Sequence, residues 1–155
     1  MTKLGAAIVG TGWVSYEYVK AFAADPRTEL RALVSADAAR ARARAAEWGL
    51  QGIDCHGSLE PVLADPGVHI VVLCSRHATH AAQGAAAAQA GKHIVVEKPI
   101  ALDLPSLREL DRAVRSSGVR SVVSFVLRWN PLFETIQSML AAGHARRSRG
   151  SRRRR

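Results

Sequence analysis

The stretch from Leu4 to Ser15 constrains the fold more than any other part of this chain. Leu4–Val9 (LGAAIV) is a continuous run of small and branched apolar residues, followed at once by Gly10-Thr11-Gly12. A short run without polar alternation predicts a strand buried on both faces. The two glycines predict a tight turn, and the pattern from Trp13 to Ala24 predicts a helix stopped by Asp25-Pro26. A strand buried on both sides that turns directly into a helix needs neighbouring strands and a layer of helices on each face.

The rest of the chain repeats that alternation. Glu29–Ser35 reads as a second strand and Ala38–Trp48 as a helix ended by Gly49, while Gln51–His56 carries a short third strand before a helical turn after Ser58. Val68–Cys74 is again apolar throughout, His77–Ala90 reads as a helix ended by Gly91, and His93–Val96 as a fifth strand. Ser106–Ser117 then reads as a helix, Arg120–Phe125 as a sixth strand and Leu132–Ala142 as a last helix. Six apolar strands joined by helices predict an α/β fold, a doubly wound parallel sheet of the Rossmann type with its switch point beside the first strand. The 155 residues suit one domain, and a composition 48% hydrophobic but 5% aromatic requires a core of Ala, Val, Leu and Ile. The expected organisation is a domain over residues 1–143 and a disordered Arg-rich tail over 144–155.

The formal charge of +9 belongs to that tail. Residues 144–155 hold seven arginines and no acid, leaving 15 Lys and Arg against 13 Asp and Glu, a net of +2 elsewhere. Basic runs bind nucleic acid through counterion release, but no aromatic-studded basic face or groove-reading helix accompanies this one, so nucleic acid is not expected as a partner. The tail reads instead as an unselected end or a frameshift in the coding DNA. Cys55 and Cys74 have neither metal-ligand nor disulfide-framework spacing, so no metal is expected. The N-terminal apolar stretch is too short for a signal core or a membrane span, which points to a reduced, cytoplasmic protein away from membranes.

Gly10-Thr11-Gly12-Trp13-Val14-Ser15 matches G-x-G-x-x-G except at its last position. The first glycine permits the turn, the second lets backbone approach a pyrophosphate, and the third position needs a small side chain where helix meets strand, a role serine can fill. Glycine pairs also occur in ordinary turns; the strand before and helix after favour dinucleotide binding. The second strand runs into Leu33-Val34-Ser35-Ala36-Asp37, with Arg40 and Arg42 beyond. An acid there binds ribose hydroxyls, whereas a small residue with nearby arginines accommodates a 2′-phosphate. Ser35 takes the expected acid position, and Asp37 has two readings, ribose ligand or helix cap. The choice between NAD and NADP stays open at this point.

Ala90-Gly91-Lys92-His93-Ile94-Val95-Val96-Glu97-Lys98-Pro99, with Gly10–Ser15 and Arg128-Trp129-Asn130-Pro131, closely resembles the glucose–fructose oxidoreductase, inositol dehydrogenase and rhizopine catabolism (Gfo/Idh/MocA) family. The resemblance runs from about Leu4 to Gly143, the family's cofactor domain. It implies hydride transfer between a nicotinamide and a hydroxyl-bearing carbon of a sugar or cyclitol. It places Lys98 as the catalytic residue beside the substrate hydroxyl and nicotinamide ribose; the other reading is a solvated lysine next to a turn proline. Glu97 supports the cofactor pocket or pairs with Lys98, and Pro99 shapes the turn, with a cis bond as one form. Where the family often has Thr-Pro-Asn, this chain has Ser75-Arg76-His77, so Arg76 suits a phosphate and His77 departs from the pattern. His80 stands at a position often His in the family and is a cofactor-side candidate or a polar residue of the first helical turn. Arg128 and Trp129 edge the nicotinamide pocket or pack against a further domain.

The family's proton-transfer pair, D-x-x-x-H, comes from a second, C-terminal α+β domain that also supplies substrate contacts and the usual homo-oligomer interface. The one such string here, Asp65-Pro66-Gly67-Val68-His69, precedes Lys98, and Pro-Gly cannot hold both side chains on one helix face. The resemblance therefore implies a truncated NAD(P)-dependent oxidoreductase, inactive alone. The alternative is a non-catalytic nucleotide-binding module or inactive fragment.

Overall fold

Parallel pairing spreads outward from the first strand. In the computed structural model, which describes residues 2–143, β1 (Leu4–Val9) pairs with β2 (Thr28–Val34) on one side and β4 (Val68–Leu73) on the other. β3 (Asp54–His56) joins β2, β5 (His93–Glu97) joins β4, and β6 (Ser121–Ser124) joins β5, all in parallel. The order β3-β2-β1-β4-β5-β6 puts the reversal between β1 and β4, the doubly wound arrangement the sequence predicts.

The strands lack polar alternation because both faces are covered. Successive residues point to opposite sides, so Ala7, Val9, Val71, Leu73, Ile94 and Val96 enter one core while Ile8, Leu33, Val72 and Cys74 enter another. The first core is closed by α3 (Glu60–Ala64), α4 (His80–Gln89) and α5 (Leu104–Ser117), through Val62, Ala85, Ala88 and Leu110. The second is closed by α1 (Trp13–Ala24) and α2 (Ala38–Glu47), through Val19, Ala45 and Trp48. The alanines of α4 allow close approach, and a Cβ added to Gly84 would lie 2.9 Å from the Leu110 side chain.

Several boundaries move for local reasons. The helix expected from His77 divides into a 3-10 turn (His77–Thr79) and α4, because the Thr79 hydroxyl donates to the Arg76 carbonyl at 2.8 Å and tightens the start. α5 begins at Leu104 rather than Ser106, since the Asp103 carboxylate accepts the Ser106 N–H at 2.8 Å and Pro105 suits a first turn. Asp65 and His69 are structural: the Asp65 carboxylate accepts the Gly67 N–H at 2.7 Å, and His69 lies within β4, its Nδ1 accepting the Gly5 N–H at 2.9 Å.

The chain divides into two units, Met1–Ser124 and Phe125–Arg155. The second contains a 3-10 turn (Val126–Trp129) and α6 (Pro131–Ala141), capped by Asn130 accepting the Leu132 N–H at 2.9 Å. The Arg-rich segment 144–155 lies outside the described residues. Both cysteines are free, and no helix among the described residues is long and apolar enough to cross a membrane.

Candidate functional site

Where β1 and β4 part, a cleft of about 490 Å³ opens at the carboxyl edge of the sheet. Its walls come from the loop after β1, the end of β2 with the first turn of α2, the β3–α3 loop, and the loop after β4. This is the crevice in which doubly wound sheets bind ligands.

The two glycines of the first loop have different jobs. Gly10 has φ +110° and donates its N–H to the Val34 carbonyl at 2.8 Å, and a Cβ there would overlap the Cys74 carbonyl. Only glycine fits that passage between β2 and β4. Gly12 has an ordinary φ of −79°, and a Cβ built on it meets nothing within 4 Å, so its open side belongs to the cleft. No side chain caps α1 at Gly12, whereas Asp37 and Asp103 cap α2 and α5. The N–H groups of Trp13 and Val14 thus remain to meet an anion, aided by the helix dipole. The Val14 side chain packs on the second core, while Trp13 is 84% exposed.

Ser15, in the third motif position, is fully buried, and its hydroxyl has no hydrogen-bond partner among the described residues. Serine is thus accommodated in the contact between α1 and the sheet. Burial, reinforced by the negative charge of Glu97, pushes the neighbouring Cys74 thiol up to about 12.

At the β2 end, the Thr11 and Ser35 hydroxyl oxygens lie 3.0 Å apart on the cleft wall. Of the two readings of Asp37, the structure shows the cap: its carboxylate accepts the Arg40 N–H at 2.7 Å, and Asp37 does not line the cleft. Arg40 does line it, and its guanidinium forms no ion pair among the described residues.

After β4, the Ser75 hydroxyl donates to Gln83 Oε1 at 2.5 Å, fixing the loop to α4. Arg76 lines the cleft, whereas His77 is exposed outside the lining. His80, a cofactor-side candidate on sequence, requires correction. Its ring is fully buried, with Nδ1 2.8 Å from the Pro99 carbonyl oxygen and Nε2 3.0 Å from that of Ser75. It ties two loops together and presents no free atom to a ligand.

Of the two readings of Glu97, the pairing with the Lys98 side chain does not form. Its Oε1 accepts the Tyr18 hydroxyl at 2.8 Å and its Oε2 the backbone N–H of Lys98 at 3.2 Å, so it holds the strand end from beneath rather than neutralising the Lys98 ammonium. Burial and the adjoining Glu97 carboxylate hold the Tyr18 hydroxyl well above its usual range, against a lowering contribution from Ser124. The sequence signal for Tyr18 is slight, a polar-tipped aromatic one turn after Val14 on the packed face of α1. Lys98 itself is exposed, without an ion-pair partner among the described residues, and its bond to Pro99 is cis. In the second unit, Arg128 is exposed with its guanidinium 6.0 Å from the Trp129 ring centre. Among the described residues no three His, Cys, Asp or Glu side chains gather as a metal site.

Residues 4–125 match the family model described as oxidoreductase family, NAD-binding Rossmann fold (GFO_IDH_MocA). The chain is 31% identical over 144 residues to Uncharacterized oxidoreductase YrbE of Bacillus subtilis, covering 92% of this chain and 42% of that protein. It is also 31% identical over 138 residues to trans-1,2-dihydrobenzene-1,2-diol dehydrogenase of Oryctolagus cuniculus, covering 88% of this chain and 41% of the rabbit protein. The crystal structure of an NAD binding oxidoreductase from Klebsiella pneumoniae superposes with a TM-score of 0.80 at 28% identity, over 92% of this chain and 39% of that one. The chain thus spans about two fifths of the length of these relatives. A six-stranded doubly wound sheet with an uncapped glycine-loop helix at its switch point, matched over residues 4–125, places this chain in the Gfo/Idh/MocA oxidoreductase family as its NAD-binding Rossmann domain.

Proposed function

We propose that this chain is the cofactor half of an NAD(P)-dependent oxidoreductase acting on a sugar, inositol or related polyol. The observation that carries the reading is the cleft beside β1: Gly12 opens into it, no side chain caps the Trp13 and Val14 N–H groups of α1, and Lys98 stands exposed after β5 on the same carboxyl edge. The backbone of Gly10, Thr11 and Gly12 with the N–H groups of Trp13 and Val14 would hold the pyrophosphate, and Ser35 would face the adenine ribose. When bound, the nicotinamide accepts or donates the hydride. Lys98 contributes a fixed positive charge, which stabilises negative charge developing on the reacting oxygen and favours its deprotonation. Glu97, His80 and Pro99 hold that lysine's backbone in place. The rabbit relative, named as a diol dehydrogenase, supports a hydroxyl-bearing substrate. The two free thiols fit the reducing cytoplasm.

Alcohol oxidation also needs a group that accepts the hydroxyl proton within hydrogen-bond reach. His69 accepts the Gly5 N–H and His80 is buried between two carbonyls, so neither serves. That group is supplied from outside the described residues, by a domain that also carries the substrate contacts and the oligomer interface. The 155-residue chain alone should show no turnover of inositols or hexoses. A protein that includes the second domain should be active and lose most of its kcat on Lys98→Ala. Turnover by the 155-residue chain that survives Lys98→Ala would refute the assignment. A dinucleotide-binding but inactive whole protein would favour the non-catalytic module.

A further inference from the structure

We infer that the cleft selects NADP(H) over NAD(H), and that Arg40 and Ser35 make the selection; the inference rests on the dinucleotide reading above. The two cofactors differ only in a 2′-phosphate on the adenine ribose, which in a doubly wound fold lies at the end of the second strand. A carboxylate there accepts the two ribose hydroxyls of NAD and repels the phosphate of NADP. This chain has none in place. Position 35 is serine, and the nearest acid, Asp37, accepts the Arg40 backbone N–H on Oδ1 at 2.7 Å and does not line the cleft.

Positive charge takes its place. Among the described residues, Arg40 and Arg76 are the only charged side chains lining the cleft. They stand on different walls, Arg40 in the first turn of α2 beside the end of β2, and Arg76 in the loop after β4. Arg40 is therefore the cation on the ribose side. Its guanidinium is exposed and has no acidic partner among the described residues, so binding a phosphate breaks no existing ion pair. A guanidinium matches phosphate oxygens with two parallel N–H donors, which an uncharged ribose hydroxyl cannot exploit to the same degree. The Ser35 hydroxyl, 3.0 Å from that of Thr11, adds a neutral donor at the same edge.

The test titrates the full 155-residue chain with NADPH and NADH by calorimetry, at two salt concentrations. NADPH should bind at least about tenfold tighter than NADH, the ratio expected from charge-assisted hydrogen bonds to one phosphate, and its affinity should fall more steeply with salt. Arg40→Ala should cost about tenfold or more in NADPH affinity while NADH changes by less than about twofold. Arg40→Lys should restore part of the loss, since it keeps the charge but not the fork. Arg40→Ala keeps the backbone N–H that Asp37 caps and introduces a strong helix former, so the fold survives, as circular dichroism would show. Ser35→Asp should reverse the preference. Equal or tighter NADH binding by the wild type overturns the inference, as does a preference untouched by Arg40→Ala. Binding of neither cofactor overturns the dinucleotide reading itself, and is told apart by the loss of NADH binding as well.

Discussion

Alanine at Gly10 and alanine at Gly12 should separate folding from binding, although the two glycines are one residue apart. Gly10 sits at φ +110°, where an L side chain is strained by about 1–3 kcal/mol. The new methyl would also overlap the Cys74 carbonyl, and because that atom is sheet backbone it cannot rotate away. Overpacking of this kind adds about 1–3 kcal/mol, so Gly10→Ala should destabilise by about 2–6 kcal/mol. For a chain of this size each kcal/mol shifts Tm by roughly 3 °C, giving a fall of roughly 6–18 °C. Gly12 has an allowed φ of −79° and open space around its Cβ position. Alanine there loses about 0.5–1 kcal/mol as a helix N-cap and regains about 0.4–1 kcal/mol from a less flexible unfolded chain, so Tm should move by less than about 3 °C. Its methyl nevertheless projects where the pyrophosphate must approach, so dinucleotide affinity should fall more than about tenfold. Thermal unfolding by circular dichroism and calorimetric titration with NADPH measure both effects. Equal losses of Tm in the two variants, or full NADPH affinity in Gly12→Ala, would refute the division of labour.

Two further outcomes follow from the hydrogen bonds. Asp25 is held at about 2 by Arg27, and Asp65, Asp103 and Glu60 are lowered chiefly by the Gly67 N–H, the Ser106 N–H and the Ser58 hydroxyl respectively. A carboxylate depressed in the folded state contributes stability that is present above its unfolded pKa and is lost as pH falls through the folded one. Tm should therefore be insensitive to these groups above about pH 5 and decline from there toward about pH 2; a Tm that rises on acidification would contradict this. Asp37→Ala should cost about 1 kcal/mol through the lost cap, roughly 3 °C in Tm, with NADH affinity unchanged within about twofold. A large selective loss of NADH binding would return Asp37 to the ribose.

Legibility depended on whether a residue's role is local. Leu4–Val9 and Trp13–Ala24 form the elements expected of them, because an apolar run and a glycine turn need no distant information to declare strand and helix. Asp37 could not be assigned, since cap and ribose ligand share one sequence signature and differ in where the carboxylate points. His80 has two readings on sequence, a cofactor-side candidate or a polar residue of the first helical turn. Its burial depends on the Ser75 and Pro99 carbonyls, which come from loops after two different strands. Tyr18 and Glu97 meet across 79 positions of sequence, a pairing no local pattern encodes.

By itself the sequence determined the class of fold, the strand order and the position of the cleft. Apolar runs of strand length separated by helical stretches admit few arrangements, and right-handed crossovers leave the glycine loop at the switch point. The role proposed for Lys98 came from resemblance to the family's string of residues around the end of β5, not from any local pattern. Tertiary structure alone decided the occupants of the cleft wall. Which of Asp37 and Arg40 lines the cleft depends on the α2 cap, and whether the His80 ring is open or meets backbone depends on how the loops after β4 and β5 close over it. Those choices are made by directional hydrogen bonds between segments far apart in sequence, whereas the fold is set by hydrophobic burial, whose periodicity is written along each segment.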